Sequence, residues 1–187
     1  TGSAWTQLGV DIDGEAVEDQ SGFSVSLSAD GQTVAIGAHF NDGNGLDSGH
    51  TRIYHWTGSA WTQLGAVIDG EAARDNSGRS VSLSSDGQTV AIGAFLNDGN
   101  GSNSGHTRIF RWTGSMWTQL GADIDGEATG DNSGRSISLS SDGQTVAVGA
   151  NFNDGNGLSS GHTRIYRWTG SAWTQLGVDI DGEAAVD

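Results

Sequence analysis

Acidic side chains recur along the chain at a spacing that suits a hard cation. Carboxylates occupy relative positions 1, 3, 5 and 9 of one short run, as in an oxygen-rich loop that wraps a single ion. The candidate ligands are Asp11, Asp13, Glu15 and Asp19, then Asp123, Asp125, Glu127 and Asp131, and again Asp179, Asp181, Glu183 and Asp187. One further copy of the run has Val67 in the first position. The alternative is an Asp-Gly turn between repeats whose acids are simply solvated.

A second loop, with the sequence NDGNG, offers Asp42 and Asn44 as oxygen ligands. The alternative is a loop with positive φ angles that Asx turns hold in shape. Calcium fits either loop as a bound cofactor, whereas zinc does not.

Histidine and arginine each recur at one position of a repeated pattern. The histidines at this position are His50, His106 and His162, and the arginines are Arg52, Arg108 and Arg164. The histidines either meet on a central axis or cap the start of their own strands. The arginines pair either with a nearby Asp or with a group in the next repeat.

A ligand surface would lie where the copies of the repeat differ most. We therefore predict ligand-binding residues at a loop rim, namely His39, Phe40, Phe95, Leu96, Asn151 and Phe152. An exposed apolar pair at this rim could equally contact another subunit.

The composition argues against several classes of protein. The chain has eight arginines, no lysine and a formal charge of −15, so we expect no binding of nucleic acid or anionic membranes. It has no cysteine and no apolar run near the length needed to cross a bilayer, so we expect no membrane insertion. No catalytic motif occurs, and near-identical copies supply the same groups repeatedly, so we expect no enzyme. Because the chain begins at Thr1, we expect a processed or excised piece.

A 56-residue repeat organises the sequence, because Trp5, Trp61, Trp117 and Trp173 lie at that interval. Repeats of this length are typical of propellers, solenoids and strings of modules. We predict an additional fourth-strand segment at 1–19, which should pair with a third strand from another chain or from missing sequence, and blades at 20–75, 76–131 and 132–187.

Within one repeat the apolar residues alternate with a period of two, which predicts β-strands. Strands are expected at 24–28, 33–37, 50–56 and from 61, with an Asp30-Gly31 hairpin between the first two. Trp56 and Trp61 should face each other across the last hairpin. Four antiparallel strands per repeat describe a β-propeller blade, so we predict an all-β fold of tandem blades. Apolar pairs such as Val25 and Leu27 should be buried between blades.

The sequence also resembles a known family. Ser21-Gly22, the strand pair 24–38 with its Asp-Gly turn, the Gly-rich loop and the strand from Gly49 to Tyr54 together resemble the FG-GAP (integrin α-like) propeller repeat. The resemblance implies a seven-bladed ring for adhesion or ligand binding outside the cell. Ser21-Gly22 replaces the usual Phe-Gly, and the long Asp-rich calcium loop is missing.

Three blades do not close a ring, since propellers have about four to eight. We therefore expect the chain to be completed by another chain, by head-to-tail copies of itself, or by a longer array. The predicted function is a non-catalytic extracellular or cell-surface scaffold for adhesion that assembles with itself. The alternatives are a glycan-binding propeller lectin, with the Trp pairs as a stacking platform, and a fragment of a seven-bladed integrin-like propeller that binds a cell-surface protein.

Overall fold

The computed structural model describes residues 4–184 of the 187-residue chain. Residues 1–3 of the predicted segment 1–19 and residues 185–187 of the predicted blade 132–187, including the candidate ligand Asp187, lie outside this range. Between residues 4 and 184 the chain forms strands and turns and no helix, as the alternating pattern predicts. Over the same range, no helix could cross a membrane.

Three sheets follow one another along the chain, one in each predicted blade. The first contains β1 (Ser24–Leu27), β2 (Thr33–Ala38), β3 (His50–Trp56), β4 (Trp61–Gln63) and β5 (Ile68–Asp69). The second contains β6 (Ser80–Leu83), β7 (Thr89–Ala94), β8 (His106–Trp112), β9 (Trp117–Gln119) and β10 (Ile124–Asp125). The third contains β11 (Ser133–Leu139), β12 (Thr145–Ala150), β13 (His162–Trp168), β14 (Trp173–Gln175) and β15 (Ile180–Asp181).

The strands of each sheet pair antiparallel in chain order. In the first sheet β1 pairs with β2, β2 with β3 and β3 with β4, so the predicted meander is confirmed. The turn between β1 and β2 closes with Gly31 at a φ of 70°, where the Gly31 N–H bonds the Ser28 carbonyl at 2.9 Å. A residue without a Cβ adopts this angle without strain. The Asp30-Gly31 signal therefore places the hairpin correctly.

The fourth strand is divided, which the sequence pattern did not predict. Both β4 and β5 pair with the same edge of β3, at opposite ends of that strand. Between them the chain turns at Gly65, whose φ is 80°. The division directs the residues after β5 towards the next sheet.

The core lies between the sheets rather than within one sheet. Ala35, Ile53 and Ile68 of the first sheet pack against a cluster from the second sheet that contains Val81, Leu83, Val90, Ile92 and Phe110. The other face of the second sheet packs in the same way on the third sheet. Each fully buried aliphatic side chain contributes about 1.5–3 kcal/mol, so the joints between blades provide much of the stability.

Val25 and Leu27 are exceptions to the predicted core. They are 64% and 58% exposed, whereas their counterparts Val81 and Leu83 are 9% and 7% exposed. The reason is positional, since a preceding sheet covers the second blade and no preceding sheet within residues 4–184 covers the first. The expectation of burial is correct for the repeat and wrong for its first copy in the isolated chain.

Residues 4–19 form no strand within the described chain, but they lie on the first sheet as the end of each repeat lies on the next. The Trp61 indole N–H bonds the Leu8 carbonyl at 2.9 Å, and Trp117 bonds Leu64 in the same way at 2.8 Å. The segment therefore occupies the place of the outer strand of a preceding blade.

Candidate functional site

At each joint, the interface between two neighbouring blades, an almost fully buried arginine bonds to the preceding repeat. Arg108, 7% exposed, donates from Nη2 to the Asp69 carbonyl of the preceding repeat at 2.6 Å. Its Nη1 lies 3.6 Å from Oε1 of Glu71, and its guanidinium lies 5.4 Å from the centre of the Phe110 ring. Arg52 and Arg164 make the same contacts with the preceding segment. The arginines therefore act between repeats, which was one of the two roles expected.

Serine and glycine allow the inner strands of neighbouring blades to approach closely. The Ser24 hydroxyl donates to the Gly78 carbonyl at 2.7 Å, and the Ser26 hydroxyl accepts from the Leu83 N–H at 2.9 Å. A Cβ on Gly37 would lie 2.0 Å from the Gly78 carbonyl oxygen. Only glycine fits at this position, so the small side chains of the repeat are part of the joint.

The predicted Trp pairs are present and also serve the joint. Trp112 and Trp117 are cross-strand partners with ring centroids 5.5 Å apart. Trp117 bonds the preceding repeat, and a Cβ on Gly65 of that repeat would lie 2.7 Å from the Trp112 ring. Both rings therefore pack against the turn at Gly65. A glycan-binding role for the Trp pairs stays a prediction.

In the acidic loops whose last acid lies between residues 4 and 184, that acid holds a turn. Asp19, 4% exposed, accepts from the Ala16 N–H at 3.1 Å and from the Asn41 side-chain amide at 2.8 Å. Asp131 accepts the equivalent bonds from Ala128 and Asn153. These carboxylates connect the end of one repeat to the loop that follows β2, β7 or β12.

The other acids of these loops have separate partners. The Asp11 carboxylate accepts from Gln7 at 2.7 Å, the Asp13 backbone carbonyl accepts from Arg52, and Glu15 lies 3.7 Å from His50. Between residues 4 and 184 no loop brings its own four carboxylates within 4.8 Å of one another. In the later copy, burial and the nearby Asp123 charge raise the pKa of Asp125. Calcium binding by these loops stays a prediction.

The candidate ligands of the NDGNG loop hold the loop itself. The Asp42 carboxylate accepts from the Asp47 N–H at 2.8 Å. The Asn44 side-chain amide donates to the carbonyls of Gly70 and Glu71 at 2.8 and 3.0 Å. The Asn41 side-chain oxygen accepts from the Gly43 N–H at 2.8 Å, which is an Asx turn of the kind that the alternative describes. The Asn44 bonds connect the loop to the segment after β5, and calcium binding by this loop stays a prediction.

The structure brings together acids that the sequence analysis assigned to separate loops. His106 Nδ1 lies 3.9 Å from Glu71 Oε2 and 3.6 Å from Asp123 Oδ2. His162 Nδ1 lies 3.7 Å from Glu127 Oε2 and 3.6 Å from Asp179 Oδ2. Each histidine begins a strand, as one alternative predicted. Burial lowers the pKa of His106 to about 4, although the Asp123 charge acts in the opposite direction.

The predicted ligand rim is an aromatic and cationic cluster. His39 is buried, with its ring 4.2 Å from that of Phe23 and 4.1 Å from that of Phe40. The Arg79 guanidinium lies 4.1 Å above the Phe23 ring and 5.7 Å from Phe95. Phe40 and Phe152 are partly exposed, and Leu96 and Asn151 follow β7 and β12 at the same rim. Phe23 and Arg79 were not predicted as members of this rim, although both occupy one of the positions that vary between copies. Ligand binding at the rim stays a prediction.

Comparison with solved structures supports the fold alone, because identity is low. The chain is similar to Kuenenia stuttgartiensis hydrazine synthase, with a TM-score of 0.56, 13% identity, and 94% of this chain and 40% of that one covered. It is also similar to a putative 6-phosphogluconolactonase from Bacteroides uniformis, with a TM-score of 0.56, 15% identity, and 84% of this chain and 40% of that one covered. The chain thus spans two fifths of the length of either protein. No curated protein matches the sequence.

A family model provides the assignment. The model of the FG-GAP repeat matches residues 10–54 and 61–110. These ranges together cover just over half of the chain, and their repeats fold as successive four-stranded blades. The chain therefore belongs to the FG-GAP repeat family, as its residues suggested.

Proposed function

We propose that this protein is a non-catalytic scaffold for adhesion or matrix building outside the cell, in which copies join head to tail. FG-GAP membership supports a repeat scaffold, and such repeats are typical of extracellular and cell-surface proteins. One observation carries the proposal of self-assembly: the two ends of the chain have the same complementary surfaces that meet inside it.

The head face is the open side of the first sheet, formed by Val25, Leu27, Val34 and Tyr54. Val25 and Leu27 are largely exposed there, although the equivalent residues of the second sheet are buried against a preceding blade. A third sheet from another copy offers the partner that the repeat is built to accept.

The tail face is the open side of the third sheet, formed by Ala147, Ile165 and Ile180. Ile180 is 58% exposed, whereas its counterpart Ile124 is 4% exposed. A groove of about 350 Å³ lies at the edge of this face, lined in part by Ser136, Gly149, Gly161 and Gly182.

The groove corresponds to a position that is filled at the internal joints. A Cβ on Gly93 would lie 2.0 Å from the Gly134 carbonyl oxygen of the next repeat, whereas the three atoms nearest to a Cβ on Gly149 all belong to Ser136 of its own sheet. The residue equivalent to Gly134 at the head is Gly22, which has nothing within 4 Å of its Cβ position. Head and tail therefore match as consecutive repeats do.

A joint of this kind is heterologous, so it produces either a ring or a fibre. It also makes one outer segment redundant, because residues 4–16 of one copy and 172–184 of the preceding copy have equivalent places. We expect one of the two segments to be displaced when copies join.

Two variants, each blocking one end, test the joint. Leu27→Asp places a charge on the head face, where the side chain is exposed, and Gly149→Ala places a methyl group in the tail groove. Each variant alone should remain at the monomer mass of 19.3 kDa in sedimentation experiments. A mixture should form dimers and nothing larger, since one open head then meets one open tail.

Association of either variant alone to the same extent as the unmodified chain would overturn the proposal. If the contact were isologous, with the same face used by both copies, a mixture of the two variants would contain no species that is absent from the separate samples.

Calcium belongs to this proposal as a stabiliser of the acidic loops. Binding to the folded form must raise its stability, so added CaCl₂ should raise Tm. A Tm that does not respond to calcium would remove the ion from the proposal.

A further inference from the structure

Two clusters of three side chains lie at the joints between blades, where acids from two different acidic loops meet a histidine. Each cluster has a glutamate from the end of one repeat and a histidine and an aspartate from the next. Their ligand atoms all lie within 4.8 Å of one another. The members are Glu71, His106 and Asp123 in the first cluster and Glu127, His162 and Asp179 in the second.

The imidazole in each cluster is buried and faces negative charge. The His162 side chain is 1% exposed, and neither of its ring nitrogens has a hydrogen-bond partner among residues 4–184. Its Nδ1 is directed at two carboxylate oxygens at 3.6 and 3.7 Å, too far for hydrogen bonds. In the tautomer that carries its proton on Nε2, the Nδ1 lone pair faces two anionic oxygens, which is unfavourable unless a cation lies between them.

We propose that each cluster binds one divalent transition-metal ion, which clamps two adjacent blades together. Two ligand atoms about 2.1 Å from a tetrahedral ion lie about 3.4 Å apart, close to the separations in both clusters. The fourth position is left to water. Because the glutamate comes from the preceding repeat, the ion joins two neighbouring sheets and adds to the packing and hydrogen bonds between them.

The ligands are oriented by neighbouring groups, as at metal centres in general. Gln119 donates to Oδ1 of Asp123 at 2.6 Å, which leaves Oδ2 facing the histidine. Gln175 does the same for Asp179. Arg108 lies beside Oε1 of Glu71, which leaves Oε2 for the ion.

The donor set favours a transition metal over calcium. Imidazole nitrogen is a good ligand for zinc and similar ions, whereas calcium prefers a shell of six to eight oxygens. One nitrogen and two carboxylate oxygens match the first preference. This inference concerns residues of one chain, so it does not depend on head-to-tail association.

The contact between residues 4–19 and the first sheet contains a natural control. Glu15 lies 3.7 Å from His50, as in the complete clusters, but Val67 occupies the position of Asp123 and Asp179. This contact therefore lacks one ligand. Replacing Asp by Val at this position should therefore remove a site, and replacing Val by Asp should create one.

Equilibrium dialysis against Zn²⁺, followed by metal analysis, tests the proposal on the full chain. We expect two zinc ions per unmodified chain, one in Asp123→Val, none in Asp123→Val/Asp179→Val and three in Val67→Asp. Each substitution copies a residue that another repeat tolerates, and circular dichroism without metal checks the fold of every variant. Zinc should also raise the Tm of the unmodified chain but not that of the double variant.

Equal zinc content in all four proteins would overturn the proposal, because it would show adventitious binding to surface acids. Failure of Val67→Asp to gain an ion would overturn it as well. Dialysis against Ca²⁺ in place of Zn²⁺ should give no ion at these clusters, and calcium that followed the same two, one, none and three pattern would contradict the choice of a transition metal.

Discussion

At the scale of single residues, the backbone angle of Arg74 can be compared with the angles at the same position in the other copies of the repeat. Its φ is 71° and that of Glu18 is also 71°, in the left-handed region, whereas the third copy has Gly130 with a φ of 87°. The backbone hydrogen bond of this position is the same in the second and third copies, from Arg74 to Leu46 and from Gly130 to Ser102. Glycine adopts this angle without the strain that a Cβ causes.

Arg74→Gly should therefore raise the free energy of unfolding by about 0.5–1 kcal/mol. Urea unfolding of the variant beside the unmodified chain measures the change, and the reverse substitution Gly130→Arg should lower stability by a similar amount. A loss of stability in Arg74→Gly would show that the arginine side chain outweighs the backbone strain.

His39 makes stability depend on pH. Burial, with the Arg79 charge, lowers its pKa to about 4, although Asp47 acts in the opposite direction. In the unfolded chain the pKa is about 6.5, so the unfolded state binds the proton more readily. Its contribution is therefore complete above pH about 6.5 and is lost as the pH falls towards about 4.

The unmodified chain should lose stability as the pH falls from 6.5 to 4. In His39→Phe, which copies Phe95, we expect this loss to be smaller by about 1–2 kcal/mol, after allowance for residual solvent. Chemical unfolding at a series of pH values measures it. The effect is partial because burial also lowers the pKa values of His50 and His106. Identical pH profiles for variant and unmodified chain would exclude His39 as a contributor.

At the scale of strands and hairpins, equivalent tryptophans lie in two different environments, one at a joint between blades and one at an exposed end of the chain. Trp117 pairs with Trp112 and bonds Leu64, while its counterpart Trp5 is fully exposed. Trp117→Ala should cost about 2–3 kcal/mol, because packing and an interblade hydrogen bond are both lost. Trp5→Ala should change the stability of the monomer by less than about 0.5 kcal/mol. Equal effects in thermal unfolding would contradict the assignment of the Trp pair to the joint.

Glycines in β7 and β12 provide a second matched pair. Gly93→Ala would force a Cβ against the Gly134 carbonyl, and we expect a loss of about 2–4 kcal/mol. The three atoms nearest to a Cβ at Gly149 all belong to Ser136, and the closest is its hydroxyl oxygen at 2.4 Å. Because this hydroxyl can rotate away whereas a backbone carbonyl cannot, the folding cost of Gly149→Ala should be small. Denaturant unfolding of both variants gives the comparison. A large cost for Gly149→Ala would mean that the strand itself, rather than the joint, requires glycine.

The sequence predicted elements better than it predicted contacts between them. Alternation and the Asp-Gly turn located β1, β2 and β3 closely, because both signals are local. The division between β4 and β5 escaped prediction, although it belongs to the repeat itself: β14 and β15 are divided in the same way at Gly177, whose Cβ position has nothing within 4 Å. The cluster of Glu71, His106 and Asp123 escaped for a different reason, because its members come from two repeats and lie in separate acidic loops of the sequence.

At the scale of the whole molecule, the same joint occurs twice within the chain and is half-formed at each end. Val25 and Leu27 are exposed at one end and Ile180 at the other, although the repeat buries all three positions where a neighbour exists. Apolar exposure of this kind marks a surface that binds a partner. Because the exposed halves are complementary, we expect the partner to be a further repeat of the same kind.

The mass of the unmodified chain in solution, measured across a range of concentrations, tests this central claim most directly. We predict a mass above 19.3 kDa that rises with concentration until a ring closes or a fibre grows. A single species that stays at 19.3 kDa over the whole range would contradict it.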